Sequence, residues 1–540
     1  MKPPLKIYLA DLTYDTTHVA SGFMPLAIGM VASYVIEQFG SDVEIRLFKY
    51  PDKLLQALQE QHCDVLACST YCWNHNLALW ACRVAKKNNP KTLTCLGGPD
   101  FPELYDQKLQ YLEKYDYVDV RVIKEGEIAF ANVIARMLDV GNSDIFTETI
   151  DGCVFLHPYE KTLIEGKLTR VVRLDSIPSP YVTGLLDEFF DGQLVPIIQT
   201  TRGCPFTCNF CTEADSYFNK INNFETQYAV EELHYIGEHI SKTPITMLQI
   251  ADSNYGMYKR DKVISETIKE IQEKYRWPLG IYASTGKNFK NVIDNTEILG
   301  DTIDFSMSVQ SMDEIVLEEI GRNNLSPDKY KWASETLASK GQPTLAETIV
   351  PLPKETLDSY LNGILDLIDW GAKRVISNTL MVINGTIYKD QAYMNKFGYV
   401  TKYRLLPGLF GVYGGEQVID YEEVGVATDS LSFEDYLETR KFTFLVEVLF
   451  NSSILLEAEL LVKDYDLLYK DFVMLVYQEL DHAHNKIQQV FQSLVNESKD
   501  ELKDDEKSLE SFYQSDANYE KLLNGEIGGN LKYNHKALML

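Results

Sequence analysis

The chain has 540 residues, 45% apolar and 24% charged, a composition that excludes disordered and fibrous classes and leaves room for three or four domains of ~150 residues. Its net charge of −28 repels bulk phosphate and anionic lipid, so nucleic acid is not an expected partner and a membrane-surface role would need a local basic patch. Nine cysteines are too few, and odd, for a disulfide scaffold, and Met1-Lys-Pro-Pro-Leu-Lys lacks an apolar signal segment, which reads as a reducing, cytoplasmic protein.

Short β-type runs at Ile7 to Ala10, Val43 to Phe48, Val65 to Ser69, Leu93 to Leu96 and Val118 to Ile123 alternate with helical runs at Leu26 to Phe39, Leu54 to Gln61 and Asn76 to Lys87. This α/β alternation predicts a doubly wound, Rossmann-like domain over residues 1–140. Ligands should sit beyond its strand ends, along Leu12 to Phe23, Ser69 to Asn74, Gly97 to Pro102 and Glu125 to Glu127. Residues 141–195 carry β-type pieces at Cys153 to Leu156 and Thr169 to Leu174, then Ile177-Pro-Ser-Pro-Tyr181, and read as a linker with short strands.

A second series of strands comes next, at Ile197 to Thr201, Ile245 to Asp252, Gly280 to Thr285, Ile303 to Val309, Thr344 to Pro351 and Arg374 to Ile383. Six β/α units are short of a closed eight-stranded barrel, so residues 196–388 predict a partial (β/α)6 barrel with its chemistry at the C-terminal strand ends. Residues 389–540 are expected to form a mainly helical C-terminal domain capping the barrel mouth. In it a Gly- and Tyr-rich loop at Tyr403 to Glu416 precedes helices from Phe433. Tyr388, Tyr393, Tyr403, Phe410 and Tyr413 could face a sizeable apolar substrate or serve only as structure. Phe442 to Val462 is apolar but broken by Glu447, Glu457 and Glu459, a buried helix rather than a membrane span. The acidic run Glu497 to Glu510 reads as a solvated helix face or tether.

After the first strand of the second series comes Thr201-Arg-Gly-Cys204-Pro-Phe-Thr-Cys208-Asn-Phe-Cys211. Three thiolates in one loop can hold three corners of a [4Fe–4S] cubane, leaving one iron open to a small molecule with an amine and a carboxylate. A zinc site or core thiols are the alternatives, but structural zinc prefers four protein ligands, and the next Cys or His is His234. Cys63, Cys68, Cys72, Cys82 and Cys95 fall on apolar elements and read as packed thiols.

The cysteine spacing, with Arg202-Gly203 before it and Phe210 inside it, resembles the radical S-adenosylmethionine (SAM) superfamily. Three later segments also resemble that family: Ile250-Ala-Asp-Ser-Asn-Tyr-Gly256, Ser308-Val-Gln-Ser311 with Leu317 to Asn323, and Glu347-Thr-Ile-Val-Pro-Leu-Pro-Lys-Glu-Thr356. Asn384-Gly-Thr386 stands where relatives more often have Pro-Gly-Thr. The resemblance implies a cluster on Cys204, Cys208 and Cys211, and SAM held by Phe210, Asp252, Asn254, Ser284, Ser308, Gln310 and Arg322. For Asp252, Asn254, Gln310 and Arg322, polar strand ends and barrel salt bridges are the competing account.

In the first domain, Pro25 to Tyr34, Cys68-Ser-Thr-Tyr-Cys-Trp-Asn74, Gly97-Gly-Pro-Asp100 and Lys124-Glu-Gly-Glu127 are similar to the cobalamin-binding domains fused ahead of such barrels. That implies cobalamin contacts from Thr13, Ser69, Thr70, Gly97, Gly98, Pro99, Glu125 and Gly126, small residues letting backbone approach a flat corrin. A generic doubly wound domain whose glycines only serve turns is the competing account. Free-standing cobalamin domains carry Asp-x-His-x-x-Gly, whereas this loop reads Asp15-Thr-Thr-His18-Val-Ala-Ser-Gly22, with His18 at a different spacing.

The resemblance implies methylation of an unactivated carbon (or phosphorus) of a small molecule, with an external electron donor such as flavodoxin or ferredoxin. Radical cyclisation or rearrangement is the alternative enzyme reading, and a non-catalytic cobalamin or redox sensor the alternative class. Methylthiolation of tRNA is disfavoured by the charge and by the lack of a second cysteine trio or a basic carboxyl-terminal module.

Overall fold

The computed structural model describes residues 3–141, 145–324, 326–342, 344–452, 462, 464, 465 and 467–539. The first 140 residues wind as β1 (Leu5–Ala10), α1 (Leu26–Phe39), β2 (Val43–Phe48), α2 (Pro51–Glu60), β3 (Val65–Ser69), α3 (His75–Asn88), β4 (Leu93–Gly97), α4 (Tyr105–Lys114), β5 (Val120–Val122) and α5 (Gly126–Val140). Strands β2-β1-β3-β4-β5 are parallel; β3, β4 and β5 are almost wholly buried, while the edge strand β2 exposes Glu44 and Arg46. The sheet does not stop there. β6 (Cys153–Leu156) pairs antiparallel with β5, and β7 (Leu163–Glu165) with β6, so the segment expected as a linker supplies two edge strands of a seven-stranded sheet. Only Thr169 to Leu174 of its β-type pieces forms no strand.

The chain then enters the barrel through Pro178-Ser179-Pro180, where the Ser179 hydroxyl donates 2.7 Å to the buried Glu232. The barrel runs β8 (Ile197–Ile198), β9 (Thr201–Arg202), β10 (Asn222–Asn223), α6 (Thr226–Ile240), β11 (Met247–Tyr255), α7 (Asp261–Tyr275), β12 (Gly280–Thr285) and α8 (Phe289–Leu299). It continues through β13 (Phe305–Gln310), α9 (Glu314–Glu319), α10 (Pro327–Ala338), β14 (Thr344–Val350), α11 (Leu357–Asp369) and β15 (Arg374–Thr379). β8, β11 and β12 form one parallel arc and β13, β14 and β15 another, joined by an Ile281–Ile303 bridge. The expected first strand is split: after Ile198 the chain leaves the arc, and Thr201–Arg202 pairs instead with Asn222–Asn223. Ile281 is buried in the core that also holds Ile264, Ile268 and Ile271 of α7, so Tyr282 and Ser284, exposed on the opposite face of β12, point to the lumen.

Beyond α12 (Gln391–Lys396) the expected Gly/Tyr-rich loop is instead a long hairpin, β16 (Val400–Tyr413) and β17 (Glu416–Ala427). Gly414 and Gly415, both at positive φ, make its two-residue turn. Pro407-Gly408 sits where the ladder slips between Leu405 and Phe410. β17 lies beside the chain leaving β15, with Gly425 N–Leu380 O at 2.9 Å and Val382 N–Glu423 O at 2.8 Å. The far end of the hairpin sinks Leu409, Tyr413 and Val418 into the core of the first domain.

Helix α13 (Phe433–Val446) packs against α11 on the barrel flank, with Tyr436, Phe442 and Val446 in the core that the two share. The apolar stretch expected as far as Val462 continues from α13 into a π-helical turn (Glu447–Asn451), and its residues 453–461 lie outside the described ones. The acidic run is more than a solvated face. Lys503 and Tyr403 exchange two backbone bonds of 2.8 Å, and Glu501 meets Arg404 at 3.6 Å and Arg440 at 3.4 Å. Among the described residues no helix is long and apolar enough to cross a membrane.

Candidate functional site

The cysteine loop leaves β9 through Gly203, at φ +93°, where a Cβ would stand 2.5 Å from the Phe218 carbonyl; only glycine can let the two segments close here. Cys204 N donates 3.0 Å to that same carbonyl, and Cys211 N donates 3.0 Å to Cys208 O. The loop is held from above by Asn209, whose N reaches Ile320 O at 3.1 Å and whose Nδ2 reaches Glu319 O at 3.2 Å and the Tyr393 hydroxyl at 3.0 Å. Tyr388 closes this network on Asn209 Oδ1 at 3.4 Å. Tyr388 and Tyr393 thus serve the cysteine loop, while Phe410 and Tyr413 are buried in separate cores, and Tyr403 packs against the Phe410 cluster and lines the second cavity described below.

Two N–H donors aim at the sulfurs. Asn254 Nδ2 lies 3.2 Å from Cys204 Sγ and Arg322 Nη1 3.2 Å from Cys208 Sγ. Burial raises the Cys204 thiol, opposed by Asn254, and pushes Cys211 up to about 11. Among the described residues no three Cys, His, Asp or Glu side chains converge on one point as ligands of a single ion would. Three neighbouring thiols that do not share a focus, two of them facing cationic or amide donors, fit a cluster that takes one thiolate per iron.

Of the residues expected around SAM, Asn254 and Arg322 touch the cysteines directly. Arg322 also donates from Nη2 to Ser308 O and from Nε to Asn324 Oδ1 at 3.0 Å. Asp252 is buried, and both its oxygens are taken by Thr200 N (2.7 Å), the Thr200 hydroxyl and Thr201 N (3.0 Å). It pins the segment entering the cysteine loop and does not face the lumen. Phe210 packs into an apolar cluster with Val316, Ile320 and Leu352. Ser284 faces the lumen, and Ser308 donates 2.6 Å to Glu347, the inward residue of β14. Gln310 sits at a ladder slip with φ +69°, a strained position for a side chain.

Lys287, Glu213 and Asn209 were not singled out by sequence. Lys287 lies just past β12, donates 2.8 Å to Asn323 O and stands 4.4 Å over the Phe206 ring; burial and Arg322 push its ammonium down to about 8. Glu213 accepts 2.5 Å from Ser253 on β11. Each belongs to a loop whose partner is remote in sequence, so no local spacing marks it.

Facing this loop is a cavity of about 500 Å³ beyond the C-terminal ends of β3, β4 and β5. Ser69, Gly97, Gly98, Pro99, Glu125 and Gly126 line it, together with Gln199, Gly203, Thr212, Glu213 and Ala251 of the barrel. Gly98, at φ +97°, lies where a Cβ would be 2.5 Å from Thr70 O. Thr13 and Thr70 stand behind the wall: Thr13 Oγ accepts from Ser21 N at 2.8 Å, and Thr70 Oγ accepts 2.6 Å from the fully buried Arg121. Arg121 Nη2 also holds Gly98 O (2.9 Å) and Asp100 O (3.0 Å), fixing the Gly-Gly-Pro-Asp turn. His18 is exposed on its loop and abuts Gly408 of the hairpin, away from this cavity. Small and apolar walls with backbone brought close suit a large flat ligand such as a corrin. Across the Pro99–Asp100 turn lies a second, polar cavity of about 370 Å³. Asn384, in place of the family's proline, donates 2.7 Å to Asp100, which meets His75 at 2.7 Å.

The chain matches the B12 binding domain over residues 14–134 and the radical SAM superfamily over residues 198–367. It is 29% identical to the cobalamin-dependent radical SAM methyltransferase TokK of Streptomyces tokunonensis, over 65% of this chain and 52% of that protein. It is 28% identical to the 2-(S-pantetheinyl)-carbapenam-3-carboxylate methyltransferase of Streptantibioticus cattleyicolor, over 68% and 53%. The chain thus spans about half the length of these curated relatives. In fold it resembles the cobalamin-dependent SAM radical enzyme OxsB with aqua-cobalamin and SAM bound (TM-score 0.58, 13% identity, 99% of this chain and 83% of that one). It also resembles the methyltransferase TsrM of Kitasatospora setae (TM-score 0.53, 13% identity, 71% and 73%). The cofactors that accompany these two domains are a [4Fe–4S] cluster, SAM and cobalamin. A B12 binding domain and a radical SAM barrel joined across one cavity make the chain a member of the cobalamin-binding radical SAM enzymes.

Proposed function

We propose that the protein methylates an unactivated carbon of a small molecule, with Cys204, Cys208 and Cys211 holding the cluster and the 500 Å³ cavity holding cobalamin. The observation that carries this reading is the shared wall: Gly97 to Pro99 of the first domain and Gly203, Thr212 and Glu213 around the cysteines line one cavity. When bound, the cluster supplies the electron that cleaves SAM and cobalamin supplies a transferable methyl group. The chain's own part is to place and enclose. Asn254 and Arg322 orient the thiolates, Asp252 and Asn209 fix the loop, and Arg202 ties the barrel to Glu127 of α5 at 2.6 Å so that the two walls keep their spacing. Methyl transfer is preferred to cyclisation because the relatives at 29% and 28% identity are named methyltransferases, whereas those named cyclases are 21% and 22% identical. An external one-electron donor of the flavodoxin or ferredoxin kind is required by the same chemistry. Nine unpaired cysteines suit the cytoplasm.

Anaerobic reconstitution with iron, sulfide and cobalamin, then product analysis with candidate substrates, tests this. Equal 5′-deoxyadenosine and S-adenosylhomocysteine support methylation, and deoxyadenosine alone points to cyclisation or rearrangement. A fully loaded, reduced protein that yields neither product overturns the reading.

A further inference from the structure

We propose that the second cavity, of about 370 Å³, holds the non-reacting end of the substrate and takes it as an organic ammonium group; this rests on the methylation reading above. Three parts of the chain wall it: α3 and α4 of the first domain, the segment Met381 to Asn384 leaving the barrel, and the hairpin β16–β17. It abuts the 500 Å³ cavity. Pro102 lines both, and Asn384 lines one while the next residue, Gly385, lines the other. What separates them is the Pro99–Asp100 turn, tied to the barrel by Asn384 Nδ2 on Asp100 Oδ1 at 2.7 Å. A proline at 384, as in relatives, has no side-chain donor, so this partition is the chain's own. A corrin takes up much of the larger cavity, and a substrate whose carbon reacts there needs further enclosed room. Ligand pockets begin at about 300 Å³, a size that the second cavity meets.

The wall sets the chemistry. Five lining carboxylates, Asp100, Asp420, Glu422, Glu423 and Glu506, stand against His75, Lys114 and Lys389. Asp100 has both oxygens taken, by Asn384 and His75, and so has Asp420, by Asn76 N and the Tyr14 hydroxyl. Glu423 and Glu506 are more exposed and meet Lys389 at 2.6 Å and Lys114 at 3.6 Å. Glu422 is only 5% exposed, and Arg404 Nε donates to its Oε1 at 2.6 Å, while no donor among the described residues reaches its Oε2. Arg404 is itself shared with Glu501, at 3.6 Å. The potential at the wall is negative: burial, then Asp100, Glu422 and Asp420, push the Cys72 thiol up to about 12. Burial, then Glu423 and Glu506, likewise raise the Tyr403 hydroxyl. The rings of Tyr111, Tyr115, Tyr403 and Tyr421 border the same space and attract cations. An ammonium group entering here gains a charge-assisted hydrogen bond to Glu422 and contact with those rings, whereas a carboxylate of the same size is repelled.

The test measures, by calorimetry, binding of phenethylamine, 2-phenylethanol and 3-phenylpropionate to the protein loaded with cluster and cobalamin. Phenethylamine should bind at least about 10-fold more tightly than the other two, and Glu422→Gln should remove most of that preference, as expected for loss of one charge-assisted hydrogen bond. Because Glu422→Gln also alters the partner of Arg404, Tyr403→Leu is measured beside it; this variant leaves the ion pair in place and should weaken phenethylamine roughly 3-fold. In turnover of a substrate found by product analysis, phenethylamine should compete, and Glu422→Gln should raise KM about 10-fold with kcat unchanged. The assignment is overturned if the three probes bind alike, if phenethylamine binds both variants as tightly as the unmodified protein, or if it binds without competing. Loaded, reduced protein that yields neither 5′-deoxyadenosine nor S-adenosylhomocysteine removes the methylation reading instead, an outcome separate from the probe measurements.

Discussion

At Asp252 the carboxylate is consumed by three donors from Thr200 and Thr201, so its substitution should act on the cysteine loop before it acts on any bound molecule. Asp252→Ala strands two buried N–H groups and should lower stability by about 2 kcal/mol. Denaturant titration together with iron and sulfide analysis checks this, the expected outcome being an earlier unfolding midpoint and reduced cluster loading. Gly98→Ala places a Cβ against Thr70 O at a left-handed backbone position, at a cost of about 1–3 kcal/mol. Cobalamin retained after gel filtration should fall in this variant, while the cluster content stays unchanged. The three cysteines were legible because their chemistry is written in eight consecutive residues. Lys287 and Asn209 were not, since each acquires its role from a partner over thirty residues or more than one hundred residues away, Asn323 and Glu319 respectively. The polar strand ends were harder to read still: Asp252 and Asn254 are two apart on one strand, yet one locks the backbone and the other faces a sulfur.

At the scale of elements, the parallel strands of both α/β series stand where apolar runs and helical periods put them, because strands buried on both faces leave a strong local mark. The hairpin escaped detection because Pro407 and Gly408 interrupt β16 and imitate a loop, although Gly414-Gly415 between two β-rich runs is a hairpin signal. Likewise Cys153 to Leu156 had the right residues, but nothing local says that they extend the first sheet. The hairpin's hold on the first domain centres on Asp420, which accepts from the Tyr14 hydroxyl at 2.7 Å and from Asn76 N at 2.8 Å. Asp420→Ala should therefore loosen the strap, costing about 1.5–3 kcal/mol. Limited proteolysis should show faster cleavage within residues 400–427, and hydrogen exchange should rise at the start of α3.

For the whole molecule, the first domain meets the barrel through a buried, proton-holding joint. Burial pushes Glu232, facing Ser179 and Tyr228, up to about 8. A carboxyl raised above its unfolded value near 4.5 binds its proton more tightly in the native state. Its stabilisation is thus complete below that value and is lost as pH climbs through about 8. The unfolding temperature should be higher at pH 6 than at pH 9, and Glu232→Gln, a neutral mimic, should flatten that slope when measured by scanning calorimetry.

The strap from Asp420 and Tyr413 back to Tyr14 and Asp15 also bears on how the chain is made. The first domain's own elements end near residue 165, yet Leu409, Tyr413 and Val418 belong to its core. At about 5–20 residues per second, a ribosome needs on the order of 10–50 seconds to deliver that missing face. Throughout that interval the nascent domain presents uncovered apolar surface, so chaperone capture during synthesis should end only once the hairpin has emerged.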